Sequence, residues 1–267
     1  MTPLGARHHE VRRLRALLRE RAARAEDDAF VLEGPRVVTG ALARGARIDT
    51  LYLGPGADRA FASLVERARD AGARVAELRE GVLEKIGTTR TPQPVFAVTR
   101  RRVVALGGLP AVGHLVVTVD VTDPGNLGTI MRSAEASGAD GLVVAGESSV
   151  DVHHPKVVRA SAGAIFGLDV AEQPDPADAL AALARRDGPR LAARVADSVP
   201  YDEADLTRVC TLVVGNEARG LPGELDPHLD GSIGIPMAGD ADSLNVAMAA
   251  TILCFEAARQ RRAALVR

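Results

Sequence analysis

Tryptophan is absent from the 267 residues, tyrosine occurs twice and phenylalanine five times, so any core must be aliphatic. Hydrophobic content is still 46%, and the chain is long enough for one large domain or two modest ones. Lysine occurs only at positions 85 and 156, so nearly all positive charge is arginine, which fits a GC-rich coding sequence better than a function. The net charge of -2 excludes attraction of the whole chain to a polyanion; nucleic-acid contact would need local arginine clusters. The two cysteines, Cys210 and Cys254, sit in apolar segments without metal-ligand spacing and read as small buried hydrophobes. No secretory apolar region or membrane-length run occurs, so the chain reads as soluble and cytoplasmic. No G-x-G-x-x-G follows a strand, which disfavours a nucleotide-binding oxidoreductase. Internal repeats and low-complexity segments are also missing.

What is present is an α/β alternation in two textures. Residues 11–24 predict a helix with Leu14, Leu17 and Leu18 as its apolar stripe and Arg12, Arg13, Arg15, Arg19, Arg21 and Arg24 around it. That basic face reads equally as solvated surface or as RNA contact. Strands follow at 30–32, 48–53, 74–78 and 95–99, with helices opening at Gly34-Pro35 and spanning 61–71 and 81–86. This first unit, residues 1–100, is domain-sized. Residues 101–112, with Arg100-Arg101-Arg102 at their start and Gly107-Gly108-Leu109-Pro110 within, read as a linker. From 113 to 267 continuous apolar strands predict a parallel sheet covered on both faces. Its strands are expected at 115–120, 141–145, 166–170, 190–195, 211–215 and 232–235, with helices at 126–137, 154–162 and 176–186.

The most informative stretch is 232–262, SIGIPMAGDADSLNVAMAATILCFEAARQRR. It reads as a short strand, a Gly/Asp loop and a long helix with Ser243 as N-cap. Val246, Ala250, Leu253 and Ala257 then form a face of mostly small residues that wants a tight partner. A loop entering a helix N-terminus after a strand is a ligand-binding geometry. Two further motifs lie upstream: DPGNLGTIMRSA at 123–134 and VVGNEARGLP at 213–222.

Together these three motifs resemble, in order and over about 150 residues, those of the SpoU/TrmH family of RNA ribose 2′-O-methyltransferases in the SPOUT superfamily. The departures are mild: Ala247 stands where serine is common, and Ala218 separates Glu217 from Arg219. FVLEGPRVV (30–38) and KIGTTRTPQPVFAV (85–98) resemble the small substrate-binding domain, related to a ribosomal-protein fold, that precedes the catalytic domain in many members. The resemblance implies a C-terminal domain with a deep trefoil knot, where periodicity alone gives an ordinary unknotted sheet. It also implies S-adenosyl-L-methionine as cofactor and ribosomal RNA as substrate (by layout the large-subunit, 23S, species). The alanine-rich faces of the C-terminal helix and of the first-motif helix further suggest a homodimer paired through those two helices.

Carried over by motif, Gly215, Ile235 and Leu244 hold the cofactor with Met237 and Ser243 beside them, and Ala196 belongs to a third strand-end loop, 195–197. Arg132 is the expected catalytic residue. An arginine with a pKa above about 12 is a poor base, so the preferred role is binding the neighbouring phosphate and stabilising the forming alkoxide, with a surface salt bridge as the bland alternative. Asn126, Glu217 and Asn245 are expected to orient the ribose and fix Arg132, although Asn245 equally suits a helix start. Arg159, in DVHHPKVVRASAGAIF (151–166), matches an arginine offered to RNA across the dimer interface. His153 and His154 point apart and lack further ligands at suitable spacing, so no metal is expected. A tRNA substrate, antibiotic self-protection and a catalytically silent RNA-binding scaffold remain as alternatives; the presence of Arg132, Glu217 and Asn245 argues against the last.

Overall fold

The apolar stripe of the first helix decides how the N-terminal unit assembles. In the computed structural model, which describes residues 2–88 and 92–265, α1 (His9–Arg19) buries Val11, Leu14, Leu17 and Leu18. They join one core with Val31, Tyr52, Phe96 and Val98. The helix does not continue to residue 24 as expected. Glu20 is extended (φ -115°, ψ 121°), and a separate α2 (Arg21–Glu26) follows. Arg24 explains the turn: it is 2% exposed and its Nη1 donates to the Leu17 carbonyl at 2.7 Å. Arg24 therefore leaves the solvated basic face and serves as a buried staple.

The remaining elements of this part are β1 (Ala29–Glu33), α3 (Pro35–Ala43), β2 (Ile48–Leu53), α4 (Ala57–Ala60), α5 (Ala62–Asp70), β3 (Arg74–Glu77), α6 (Leu83–Ile86) and β4 (Val95–Arg100). The four strands form one sheet in the order β1-β4-β2-β3, antiparallel except for the β2–β3 pair. Residues 89–91, inside the KIGTTRTPQPVFAV resemblance, lie outside the described residues.

The chain continues with β5 (Leu115–Val119), α7 (Pro124–Ala136), β6 (Gly141–Ala145), α8 (Pro155–Ala160), β7 (Asp169–Gln173), α9 (Pro176–Leu183), β8 (Arg190–Ala193), β9 (Val199–Pro200), β10 (Thr211–Val214), β11 (Gly231–Gly234) and α10 (Val246–Leu265), and these seven strands form a second sheet. Its order is β7-β6-β5-β10-β8-β11-β9, with every pairing parallel. β5 and β6 are buried at every position, as continuous apolar runs require. The strand expected at 166–170 starts later, because Ala164–Phe166 form a buried 3₁₀ turn first.

By contacts the chain separates into two compact units, Met1–Arg101 with His153–Phe166, and Arg102–Val152 with Gly167–Arg267. The segment carrying α8 thus packs with the first unit, although its sequence neighbours on both sides belong to the second. Its anchors are local: Phe30 lies 4.6 Å from His153 and 6.1 Å from Phe166, ring centroid to ring centroid.

In the second unit α10 packs along α7 and β10. Ala247, Ala250, Leu253, Cys254, Ala257 and Ala258 are buried there, and the Ser133 and Thr251 hydroxyls meet at 2.7 Å. The alanine-rich faces from which the sequence suggests a subunit contact are therefore spent on one another within a single chain. Cys210 and Cys254 are buried free thiols, and burial pushes their pKa values up to about 12 and about 11. At neutral pH they behave as the small hydrophobes that the sequence suggests. Among the described residues, no helix is long and apolar enough to cross a membrane.

Candidate active site

Parallel pairing puts the carboxyl ends of β5, β10, β8 and β11, four neighbours in the sheet, along one edge. The chain departs from β5 toward β6 on one side, while β10 returns on its other side. Such a reversal opens a crevice at the strand ends, where open α/β sheets bind ligands. All three motifs supply loops to this edge: 120–123 after β5, 215–220 after β10 and 235–245 after β11.

One hydrogen-bond chain ties the three loops together. The Glu217 carboxylate accepts from the amide of Asp123 (2.9 Å), the Asn126 side-chain amide (3.0 Å), the Thr122 amide (3.3 Å) and the Thr122 hydroxyl (3.2 Å). Asn126 Oδ1 in turn accepts from Asn245 Nδ2 at 3.0 Å. Asn245 Oδ1 then accepts from the amides of Ala247 and Met248, at 2.9 and 3.3 Å. Asn245, not Ser243, is thus the N-cap of α10, so the cap lies two residues later than the sequence suggests. Partial burial raises the pKa of Glu217, but the bonds from Asn126 and from the amides of Asp123, Glu217 itself and Thr122 outweigh it and hold the value at about 2. The group is a fixed carboxylate, an acceptor rather than a proton shuttle.

Sequence reasoning passed over Asn216, which braces the same loop. Its Nδ2 donates to the Asp120 carbonyl at 2.7 Å, and its Oδ1 accepts from the amides of Ala218 and Arg219 at 3.0 and 3.1 Å. Its position between Gly215 and Glu217 in the second motif was the available signal. Asp123, likewise unassigned from sequence, caps α7 by accepting from the Asn126 amide at 2.8 Å.

Beside this chain lies a cavity of about 340 Å³, within the size range of small-molecule sites. Gly215, Ile235, Met237, Ser243 and Leu244 all line it, together with Val195. Ala196 is exposed and is not among the lining residues. Gly215 has no space for a side chain: an added Cβ would lie 2.3 Å from the Gly220 carbonyl carbon and 2.5 Å from the Leu221 nitrogen. Those are backbone atoms and cannot swing aside. Gly215→Ala is therefore expected to open the 215–220 loop, lowering both the melting temperature and S-adenosylmethionine affinity, the latter at least tenfold by calorimetry. Retained affinity would mean that the loop does not shape the cavity.

Arg132 stands apart from the hydrogen-bond chain. It lies on the exposed side of α7, about 9 Å beyond Asn126 along the helix axis at the standard rise per residue. It has no ion pair or hydrogen bond among the described residues. Among the described residues it makes neither a salt bridge nor a bond to Asn126, Glu217 or Asn245. Arg159 belongs to the first compact unit, where its Nη1 pairs with Glu33 at 2.9 Å. Of the two adjacent histidines, His153 is fully buried against Phe30, while His154 caps α8 by accepting from the Lys156 amide at 3.2 Å. Among the described residues, His8, His9 and Glu10 form the one group of metal-ligating types, with ligand atoms within 4.8 Å. His8 Nδ1 already accepts from the Glu10 amide at 3.3 Å, and Glu10 Oε2 accepts from Tyr52 and Arg74.

The chain is similar to known proteins along most of its length. Residues 113–255 match the SpoU rRNA Methylase family and residues 8–97 the MRM3-like substrate binding domain. The 23S rRNA (uridine(2479)-2′-O)-methyltransferase of Streptomyces viridochromogenes is 34% identical, over 96% of this chain and 91% of that protein. The 23S rRNA (guanosine(2553)-2′-O)-methyltransferase RlmP of Bacillus subtilis is 29% identical over 89% and 92%. The AdoMet-bound rRNA methyltransferase of Sinorhizobium meliloti superposes with a TM-score of 0.85 at 32% identity, covering 97% of each chain. With more than half of its length matched by the family and full-length relatives above 30% identity, the chain belongs to the SpoU rRNA methylase family.

Proposed function

We infer that this protein transfers a methyl group from S-adenosylmethionine to a ribose 2′-hydroxyl of ribosomal RNA. The observation that carries the reading is the hydrogen-bond chain Glu217–Asn126–Asn245, which joins the three motifs at one sheet edge beside a cavity lined by Gly215, Ile235, Met237, Ser243 and Leu244. The cavity fits the cofactor: its walls mix apolar side chains with strand-end backbone, as an adenine ring and a methionine tail require. When bound, S-adenosylmethionine supplies a methyl group already activated by its sulfonium. The protein has to hold the ribose in line and stabilise the oxygen as it loses its proton. Asn126 and Asn245 orient groups at the crevice, Glu217 fixes the Asn126 side-chain amide and Asn126 in turn that of Asn245, and Arg132, unpaired among the described residues, presents its guanidinium to phosphate and alkoxide.

Residues 1–100 select the RNA, 101–112 link, and 113–267 carry the chemistry, a division supported by the separate matches at 8–97 and 113–255. Family membership supports a trefoil knot in the C-terminal part, 23S rRNA as substrate and a cytoplasmic setting. A homodimer is supported by the outer face of α10, where Met248 is 61% and Phe255 43% exposed with Ile252 between them. An apolar stripe of this kind marks a partner surface. The double variant Met248→Asp, Phe255→Asp is expected to sediment as a monomer at micromolar concentration while the parent sediments as a dimer; a monomeric parent would remove the pairing.

The test of function is transfer from labelled S-adenosylmethionine to purified rRNA and to purified tRNA from a strain lacking the protein. Label in rRNA alone is expected. Label in tRNA alone would transfer the reading to the tRNA branch, and label in neither would contradict it.

A further inference from the structure

Within the first compact unit a buried carboxylate holds one edge of an arginine. Glu33, at the end of β1, has a side chain only 1% exposed. Its Oε2 accepts from Arg159 Nη1 at 2.9 Å and from the Thr88 hydroxyl at 2.5 Å. Arg159 Nη1 donates to Thr88 Oγ1 as well, at 3.0 Å, closing a triangle. The Arg159 side chain keeps 32% of its surface exposed, and every bond it makes among the described residues uses Nη1. The opposite edge, Nε–H beside Nη2–H, is the fork that meets a phosphate with two parallel bonds.

Stability alone gives a weak reason for this triangle. The segment His153–Phe166 is already secured by Phe30 against His153 and Phe166, and by Arg101 Nε donating to His153 Nδ1 at 3.3 Å. A buried ion pair commonly adds little over apolar packing, because desolvation offsets the attraction. What the triangle does supply is orientation, since two acceptors fix the guanidinium plane through a single nitrogen.

On the reading that the protein binds ribosomal RNA, we propose that Glu33 and Thr88 are positioning residues that hold Arg159 with its Nε/Nη2 edge presented to an RNA phosphate. Arg159→Lys keeps the charge pair with Glu33 but has no second edge, so it separates a structural role from a recognition role without leaving a buried carboxylate unpaired. Binding and turnover are measured on an rRNA fragment containing the methylated site, using the full chain. Arg159→Lys is expected to raise Kd and KM for RNA about tenfold, the scale of a lost charged hydrogen bond. Its kcat at saturating RNA, S-adenosylmethionine affinity and melting temperature stay near the parent's. Glu33→Gln is expected to weaken RNA binding several-fold in the parent and to add nothing in the Arg159→Lys background, because both act through one side chain. Unchanged RNA affinity in Arg159→Lys would overturn the proposal. So would tighter binding in Glu33→Gln, which would make Glu33 a mask, or additive losses in the double variant. A parent protein with no methyl transfer to rRNA would sink the functional reading instead.

Discussion

Arg132→Ala is expected to reduce turnover by roughly 10²-fold or more, the scale for removing a preorganised electrostatic group from a reaction that develops charge. Cofactor affinity should not change, because Arg132 is absent from the cavity lining and from the Glu217–Asn126–Asn245 chain. Stability should not fall either, since the exposed guanidinium has no protein partner to orphan among the described residues. Arg132→Lys keeps the charge and loses the planar fork, so rescue is partial. The pH profile separates clamp from base. A clamp leaves its shape the same in parent and Lys variant, scaled down. An arginine base requires a rate limb that disappears with the residue. Near-parental turnover in Arg132→Ala would dispose of both roles.

Glu217→Gln is expected to have the second large effect, and a different signature. The carboxylate accepts from Asn126, Thr122 and Asp123; a Gln replaces one acceptor oxygen with a donor that faces other donors. The loss spreads through Asn126 to Asn245 and the start of α10, where Val246, and Leu244 just before the cap, border the cavity. Turnover should fall roughly 10²-fold, as for other key electrostatic groups, and S-adenosylmethionine affinity should fall with it, unlike in Arg132→Ala. Stability carries a pH mark as well. The folded-state pKa of about 2 lies below the usual value of 4.5, so the stabilisation from Glu217 is complete above pH 4.5 and disappears as pH drops toward 2. Between those limits the parent's melting temperature should drop more steeply than the variant's. Parallel melting curves would show that Glu217 is not held by Asn126 and the amides of Thr122 and Asp123. Because the group remains ionised above pH 5, an acid limb near neutral pH in the rate profile belongs elsewhere.

The three motifs were legible because each is a short run with fixed spacing, and five of the six residues assigned to the cofactor line one cavity. Caps were harder. Apolar periodicity reports the buried face of a helix, not its first turn, so it does not separate Ser243 from Asn245, both good cap types. The break at Glu20 escaped for a similar reason: the leucine stripe runs up to it, and only the buried Arg24 contact with the Leu17 carbonyl shows why the chain turns. Small-residue faces on α7 and α10 correctly signalled close approach, but small residues do not say whether the partner is another chain or the next helix. The packing of His153–Phe166 with the first unit was invisible to any division by sequence continuity. It depends on Phe30 and Glu33, more than a hundred residues away.

The most direct test of the central claim is to digest rRNA after reaction with the parent protein and S-adenosylmethionine, then identify the methylated nucleoside by mass spectrometry. The account predicts a single 2′-O-methyl nucleoside, with the methyl retained on the sugar fragment, and its loss in the Arg132→Ala reaction. A methyl group on the base fragment, or equal yield from Arg132→Ala, would contradict it.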